Sequence, residues 1–172
     1  MNHIVVIGFM GSGKTRVGKR LAKDLHLPFV DLDKAVTTKV KMSVSEIYKR
    51  FGEPFYRAME TFAVKELMEE PHQTVISLGA GFPAQEQNQE YMKNLGTVIY
   101  LKASPEVILE RLEATGDERL KNGEISEEKI RKMLQCRAPV YEKQADIVAV
   151  TGDKPFDGLI AEIEEKLKEK NS

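Results

Sequence analysis

Eight residues, Gly8-Phe9-Met10-Gly11-Ser12-Gly13-Lys14-Thr15, satisfy the pattern G-x-x-x-x-G-K-[ST] at every fixed position. The chemistry served by that spacing is the cradling of a nucleotide's phosphates. Glycines let successive backbone N–H groups turn inward around an anion. The start of a following helix adds unpaired N–H groups and the positive end of its dipole. Lys14 can reach the outer phosphates, and the Thr15 hydroxyl can ligate Mg²⁺. Gly11, Ser12, Gly13, Lys14 and Thr15 are therefore the expected nucleotide-binding residues.

Three further groupings could do chemistry. Asp31 and Asp33 lie two apart. On a regular strand both carboxylates would share one face. Beside a phosphate loop such a pair could hold Mg²⁺, directly or through water, and take a proton from an attacking hydroxyl. The plainer alternative is that one or both cap the next helix. Arg57 and Glu60 are three apart on a helical pattern, which also describes an ordinary surface ion pair. Arg137 stands before Ala138-Pro139 within a helical run, where a proline is costly and kinks the helix. That gives Arg137 a reason to be placed, although each arginine taken alone also reads as a surface charge.

The elements that must position these residues are legible in outline. His3–Ile7 is a short apolar, β-branched run that reads as a buried strand. From Lys14, apolar Val17, Leu21, Ala22 and Leu25 recur at helical spacing. Further strands are expected at Phe29–Asp33, Thr74–Leu78, Thr97–Leu101 and Asp146–Val150. Ser43 followed by Glu46 is a capping-box signature. Ser104-Pro105 and Ser126 start two later helices, and an amphipathic helix follows Pro155. Alternating strands and helices argue for an α/β fold, a parallel sheet covered on both faces. Ligands in such sheets sit at the carboxyl ends of the strands, where Gly8–Thr15, Asp31/Asp33 and Gly79–Gly81 fall. The stretch from Thr115 to Ile125 carries Gly116, Gly123, many charges and few apolar residues, so it cannot build core.

A chain of 172 residues fits one domain. Its 41% hydrophobic and 31% charged residues are ordinary for a globular protein. A net charge of −1 gives no electrostatic case for nucleic acid or an anionic membrane. The first residues run straight into a strand, with no leader pattern, so a cytoplasmic setting is expected. Cys136, the single cysteine, excludes an internal disulfide and reads as a small packing residue. His3, His26 and His72 lack neighbours at ligand spacing, so no zinc site is expected.

Asp31-x-Asp33, Gly52-Glu53 with Arg57 and Glu60, and Arg137-Ala138-Pro139-x-Tyr141 with Ala145-Asp146 together resemble the shikimate kinase family. The resemblance runs from the first strand to the last helix. It implies the nucleoside-monophosphate-kinase fold: a five-stranded parallel sheet in a single kinase domain over 1–172, with substrate-binding helices at 33–61 and a lid at 115–125. It implies ATP as co-substrate with Mg²⁺, held by Thr15 and, through water, by Asp31. It also implies that Asp33, Arg57, Gly79, Ala80, Gly81 and Arg137 surround shikimate, and that Asp33 orients or deprotonates its 3-hydroxyl. Arg119 resembles the lid arginine that closes on ATP, and Arg111 an additional nucleotide contact. Lys14, Asp33 and Arg119 are then the expected catalytic residues, in a protein expected to be monomeric. The chain departs from the family pattern at Ala80, where a third glycine is usual, and at Tyr48 and Tyr56, where phenylalanines are. Arg119-Leu120-Lys121-Asn122 stands where Arg-Pro-Leu-Leu is usual, and loss of the proline predicts a looser lid. The alternatives are a same-fold kinase for another polyol carboxylate such as gluconate, or for a nucleoside monophosphate, and a nucleotide-binding regulatory module without transfer.

Overall fold

The computed structural model describes residues 2–172 of the chain. Among these, five strands form one parallel sheet in the order β2-β3-β1-β4-β5. They are β1 (His3–Gly8), β2 (Phe29–Asp31), β3 (Val75–Ser77), β4 (Gly96–Lys102) and β5 (Ile147–Val150). Their apolar, β-branched composition suits strands buried on both faces. Alternation along β1 divides the interior in two. Val5 and Ile7 enter one apolar cluster, with Leu32, Ile47, Tyr56, Phe82, Ile108 and Tyr141. Ile4 and Val6 enter the other, with Val17, Leu21, Ala149 and Ile163.

The helices that supply the second cluster are α1 (Lys14–Leu25) and, at the end of the chain, Phe156–Asn171. The first cluster is covered by α2 (Leu32–Val40), α3 (Val44–Phe51), α4 (Glu53–Met68), α5 (Gln89–Asn94), α6 (Pro105–Ala114), the short α7 (Glu118–Lys121) and α8 (Glu127–Gln144). The Phe156–Asn171 helix is α9. Side-chain caps set several starts as the sequence implies. Ser43, Ser104 and Ser126 each accept a hydrogen bond from the backbone N–H three residues on. No helix among the described residues is long and apolar enough to cross a membrane.

Three expectations change. The 115–125 segment does contribute to the core, because Ile125, 7% exposed, belongs to the first cluster and Leu120 packs against it. β2 ends at Asp31 rather than Asp33, because Asp31 caps α2 by accepting from the Lys34 N–H at 3.3 Å. Asp33 therefore belongs to the first turn of a helix, and the two carboxylates do not share a strand face. Cys136 is exposed, not packed. The buried face of α8 is Ile130, Leu134 and Tyr141, and a residue two positions from Leu134 points about 200° away from it at 100° per residue.

Candidate active site

The site forms where the chain passes from one half of the sheet to the other, at the carboxyl ends of the adjacent strands β1 and β3. From β1 the loop turns into α1 through Gly13, whose φ of 95° is left-handed and unsuited to a side chain. The Ser12 N–H donates to the Phe9 carbonyl at 3.1 Å, closing the loop. The Ser12 hydroxyl is buried and unpaired, so only its backbone is available to a ligand. Lys14 Nζ rests on the carbonyls of Gly8 and Phe9, at 3.0 and 3.1 Å. Burial pulls its ammonium from 10.5 to about 8, although Asp33 and Asp31 act against the shift. This is a cation short of counter-charge, as an anion site requires.

Thr15 Oγ1 donates to Asp31 Oδ2 at 2.8 Å, so the two groups with expected metal roles are in contact. Asp31 thus caps a helix and also faces the loop. Arg111, from α6, reaches the loop from behind. Its Nη1 donates to the carbonyls of Gly11 and Ser12 at 3.2 and 2.8 Å, and its Nη2 to Thr151 Oγ1 at 2.9 Å. Beside it lies a cleft of about 390 Å³ lined by Gly13, Arg16, Arg111, Thr115, Thr151 and Phe156.

On the acceptor side the sequence understated the order. Arg57 and Glu60 are not a surface pair. Glu60 is fully buried, and Arg57 Nη1 donates to its Oε1 at 2.8 Å. Burial pushes Glu60 up to about 7 even against the Arg57 charge. Its other oxygen, Oε2, is buried without a donor. The turn after β3 passes close over these groups. A Cβ on Gly79 would sit 2.8 Å from Glu60 Oε2 and 3.0 Å from Asp33 Oδ1, and one on Gly81 would sit 2.5 Å from Arg57 Nη2. A side chain at either position would have to push aside the charged ends of Asp33 and Glu60 or of Arg57. Ala80 between them is accommodated without a left-handed backbone, and its carbonyl accepts from Tyr141 Oη at 2.6 Å. Arg137, on the same helix as Tyr141, is half-buried, 5.8 Å from the Phe9 ring, and close enough to Lys14 for its charge to act on that ammonium. The loop, Asp33, Arg57, Gly79–Gly81 and Arg137 are thus brought together.

Arg119 is the one expected site residue held elsewhere. Its Nε and Nη2 donate to Asp117 at 3.0 and 2.8 Å within the 115–125 segment. Two other contacts escaped sequence reasoning. The Arg16 guanidinium stacks on the Phe156 ring at 3.9 Å, across 140 positions of sequence, and its charge adds to burial in pulling Arg111 down from its ordinary value. Tyr56, 3% exposed, donates its hydroxyl to Asp33 Oδ1 and meets Tyr48 edge-on at 5.2 Å. Tyr48 itself is half-exposed.

A central β1, a phosphate loop opening α1, and polar side chains gathered at the sheet's carboxyl edge define a P-loop phosphotransferase of the nucleoside-monophosphate-kinase type. The shikimate kinase family model matches residues 10–168. A shikimate kinase of Thermodesulfovibrio yellowstonii is 39% identical over 167 residues, spanning 95% of this chain and 96% of its own length. That of Enterococcus faecalis is 36% identical over 170 residues, spanning 98% and 100%. The structure of shikimate kinase from Acinetobacter baumannii in complex with shikimate superposes with a TM-score of 0.89 at 30% identity, covering 99% of this chain and 94% of that one. The Aquifex aeolicus enzyme superposes at 0.82 and 32% identity, covering 98% of each. The chain belongs to the shikimate kinase family.

Proposed function

We propose that this protein transfers the γ-phosphoryl group of ATP to the 3-hydroxyl of shikimate, in the cytoplasm and as a monomer. The observation that carries the reading is the meeting of Asp33, Arg57 and the close-packed Gly79–Gly81 turn at the mouth of the phosphate loop. Arg57 and Arg137 supply two cations for the acceptor's carboxylate, and bidentate pairing is what guanidinium groups offer a carboxylate. Asp33 takes the hydroxyl's proton or orients it for in-line attack. The loop N–H groups and Lys14 hold the phosphates and stabilise charge as it moves to the transferring oxygens. Arg111 braces the loop, and Arg16 with Arg111 forms a positive pair that an anionic nucleotide would relieve.

Mg²⁺ fits Thr15 and Asp31, both hard oxygen donors already in contact. Bound there, it would supply positive charge to offset that of the phosphates. The described residues contain no cluster of three or more His, Cys, Asp or Glu that could cage a metal. A Mg²⁺ that borrows phosphate and water oxygens does not need one.

Coupled ADP release tests the acceptor. Release is expected with shikimate and not above background with gluconate, a nucleoside monophosphate or no acceptor. Release with one of the others, or none at all despite tight ATP binding, would replace this reading with the same-fold kinase or the regulatory module.

Residues 33–61 serve in this reading as the acceptor-binding insert, and 115–125 as a lid. Gly116 and Gly123, at φ 65° and 78°, bound the lid and can absorb the change of closure. Closure would exclude water and exchange Arg119's partner, Asp117, for the phosphates. Amide exchange across 115–125 should be fast in the free protein and slow with a nonhydrolysable ATP analogue plus shikimate. Arg119→Ala should lower turnover on the order of a hundredfold, as for loss of one charge-stabilising donor. Unchanged exchange together with full activity in that variant would reduce the segment to a solvated loop.

A further inference from the structure

Asp33 is exposed on the first turn of α2, where a free carboxylate would sample several rotamers. Its Oδ1 is tied by one side chain, the Tyr56 hydroxyl. Tyr56 is fixed in turn. Its ring is buried in the first core cluster, and Tyr48 braces it edge-on. One helical turn further along α4 stands Glu60, whose unpaired Oε2 lies over the same glycine, Gly79, as Asp33 Oδ1. The two carboxylates repel, and the Asp33 charge contributes to the upward displacement of Glu60. The Tyr56 hydroxyl stays a donor throughout, since burial and then Asp33 push its ionisation far above the ordinary tyrosine range.

We propose that Tyr56 is a positioning residue for acceptor binding: its hydroxyl holds Asp33 Oδ1 on the Glu60 side and so presents Oδ2 to the acceptor hydroxyl. This rests on the assignment of shikimate as acceptor. The one hydrogen bond that the Asp33 carboxylate accepts among the described residues is on Oδ1, which leaves Oδ2 open to a substrate O–H. Without the tyrosine hydroxyl the carboxylate keeps its charge but loses its orientation, and it turns away from Glu60 unsupported. The specificity of the pocket for a hydroxyl at this position then depends on a residue that need not touch the substrate.

Tyr56→Phe removes the hydroxyl and keeps the ring. Shikimate KM is expected to rise about tenfold, the size of one hydrogen bond to a charged group. The ATP KM should be unmoved, which a general loosening of the fold would not allow. Titration calorimetry with shikimate then closes a double-mutant cycle. The tenfold weakening from Tyr56→Phe should vanish in an Asp33→Ala background. Equal weakening in both backgrounds would mean that the hydroxyl acts on the ligand without Asp33, and would overturn the proposal. So would wild-type affinity in Tyr56→Phe alone. Absence of shikimate binding by the unmodified protein would instead remove the acceptor assignment beneath it.

Discussion

Lys14→Ala is expected to abolish transfer, by at least about a thousandfold or ~4 kcal/mol of transition-state stabilisation, while the protein melts at or above the wild-type temperature. The second half comes from the geometry around the ammonium. The Lys14 ammonium has only two carbonyls for company, and burial lowers it to about 8. A lysine lowered from 10.5 on folding opposes folding as a cation at every pH below about 8, and that opposition fades as pH rises toward 10.5. At neutral pH its removal relieves a cost. The cost is offset when phosphates arrive beside the ammonium, so the group that weakens the free protein is the one that strengthens the complex. Steady-state turnover and a thermal melt on the same preparation check both halves. Near-wild-type turnover would sink the phosphate-loop assignment.

Asp33→Asn and Asp31→Asn should part company. The first is expected to lower turnover by about 10²–10⁴, the range of a lost general base, with ATP binding retained. The second should raise the Mg²⁺ concentration needed for half-maximal rate and otherwise spare the reaction. Asparagine caps helices about as well as aspartate, so the start of α2 survives that change. The chain has no tryptophan, so calorimetry is the measurement of choice for ATP binding. Equal, mild effects at both positions would leave only helix capping for the pair.

What the sequence disclosed and what it concealed follow from how local each signal is. The strand, loop and helix around Lys14 are contiguous, and their pattern is written in consecutive residues. The serine caps at 104 and 126 are equally local. Asp31 misled because its types and spacing suit both a strand and a helix start, and the capping hydrogen bond decides between them. The Arg57–Glu60 spacing is the same whether the pair faces water or the core. Only tertiary packing, with Gly79 lying over Glu60, settles the matter. Tyr56 with Asp33, and Arg16 with Phe156, are pairs brought together by the fold, and no local spacing announces them.

The division of the interior by the sheet also has a meaning for descent. Ala80, Tyr48 and Tyr56 lie on or beside elements packed over the first core cluster. Helix α1, which follows the phosphate loop, is anchored with α9 in the second. Substitutions separated by a rigid sheet and sharing no partners are close to independent in their effects. On the proposed reading, a lineage can therefore revise which alcohol it accepts by drifting on α3, α4 and the turn after β3, while α1 and Arg111 of α6, which braces the loop, are held still. The same partition tells an engineer where to diversify a library: on α3, α4 and the turn after β3, and not on α1.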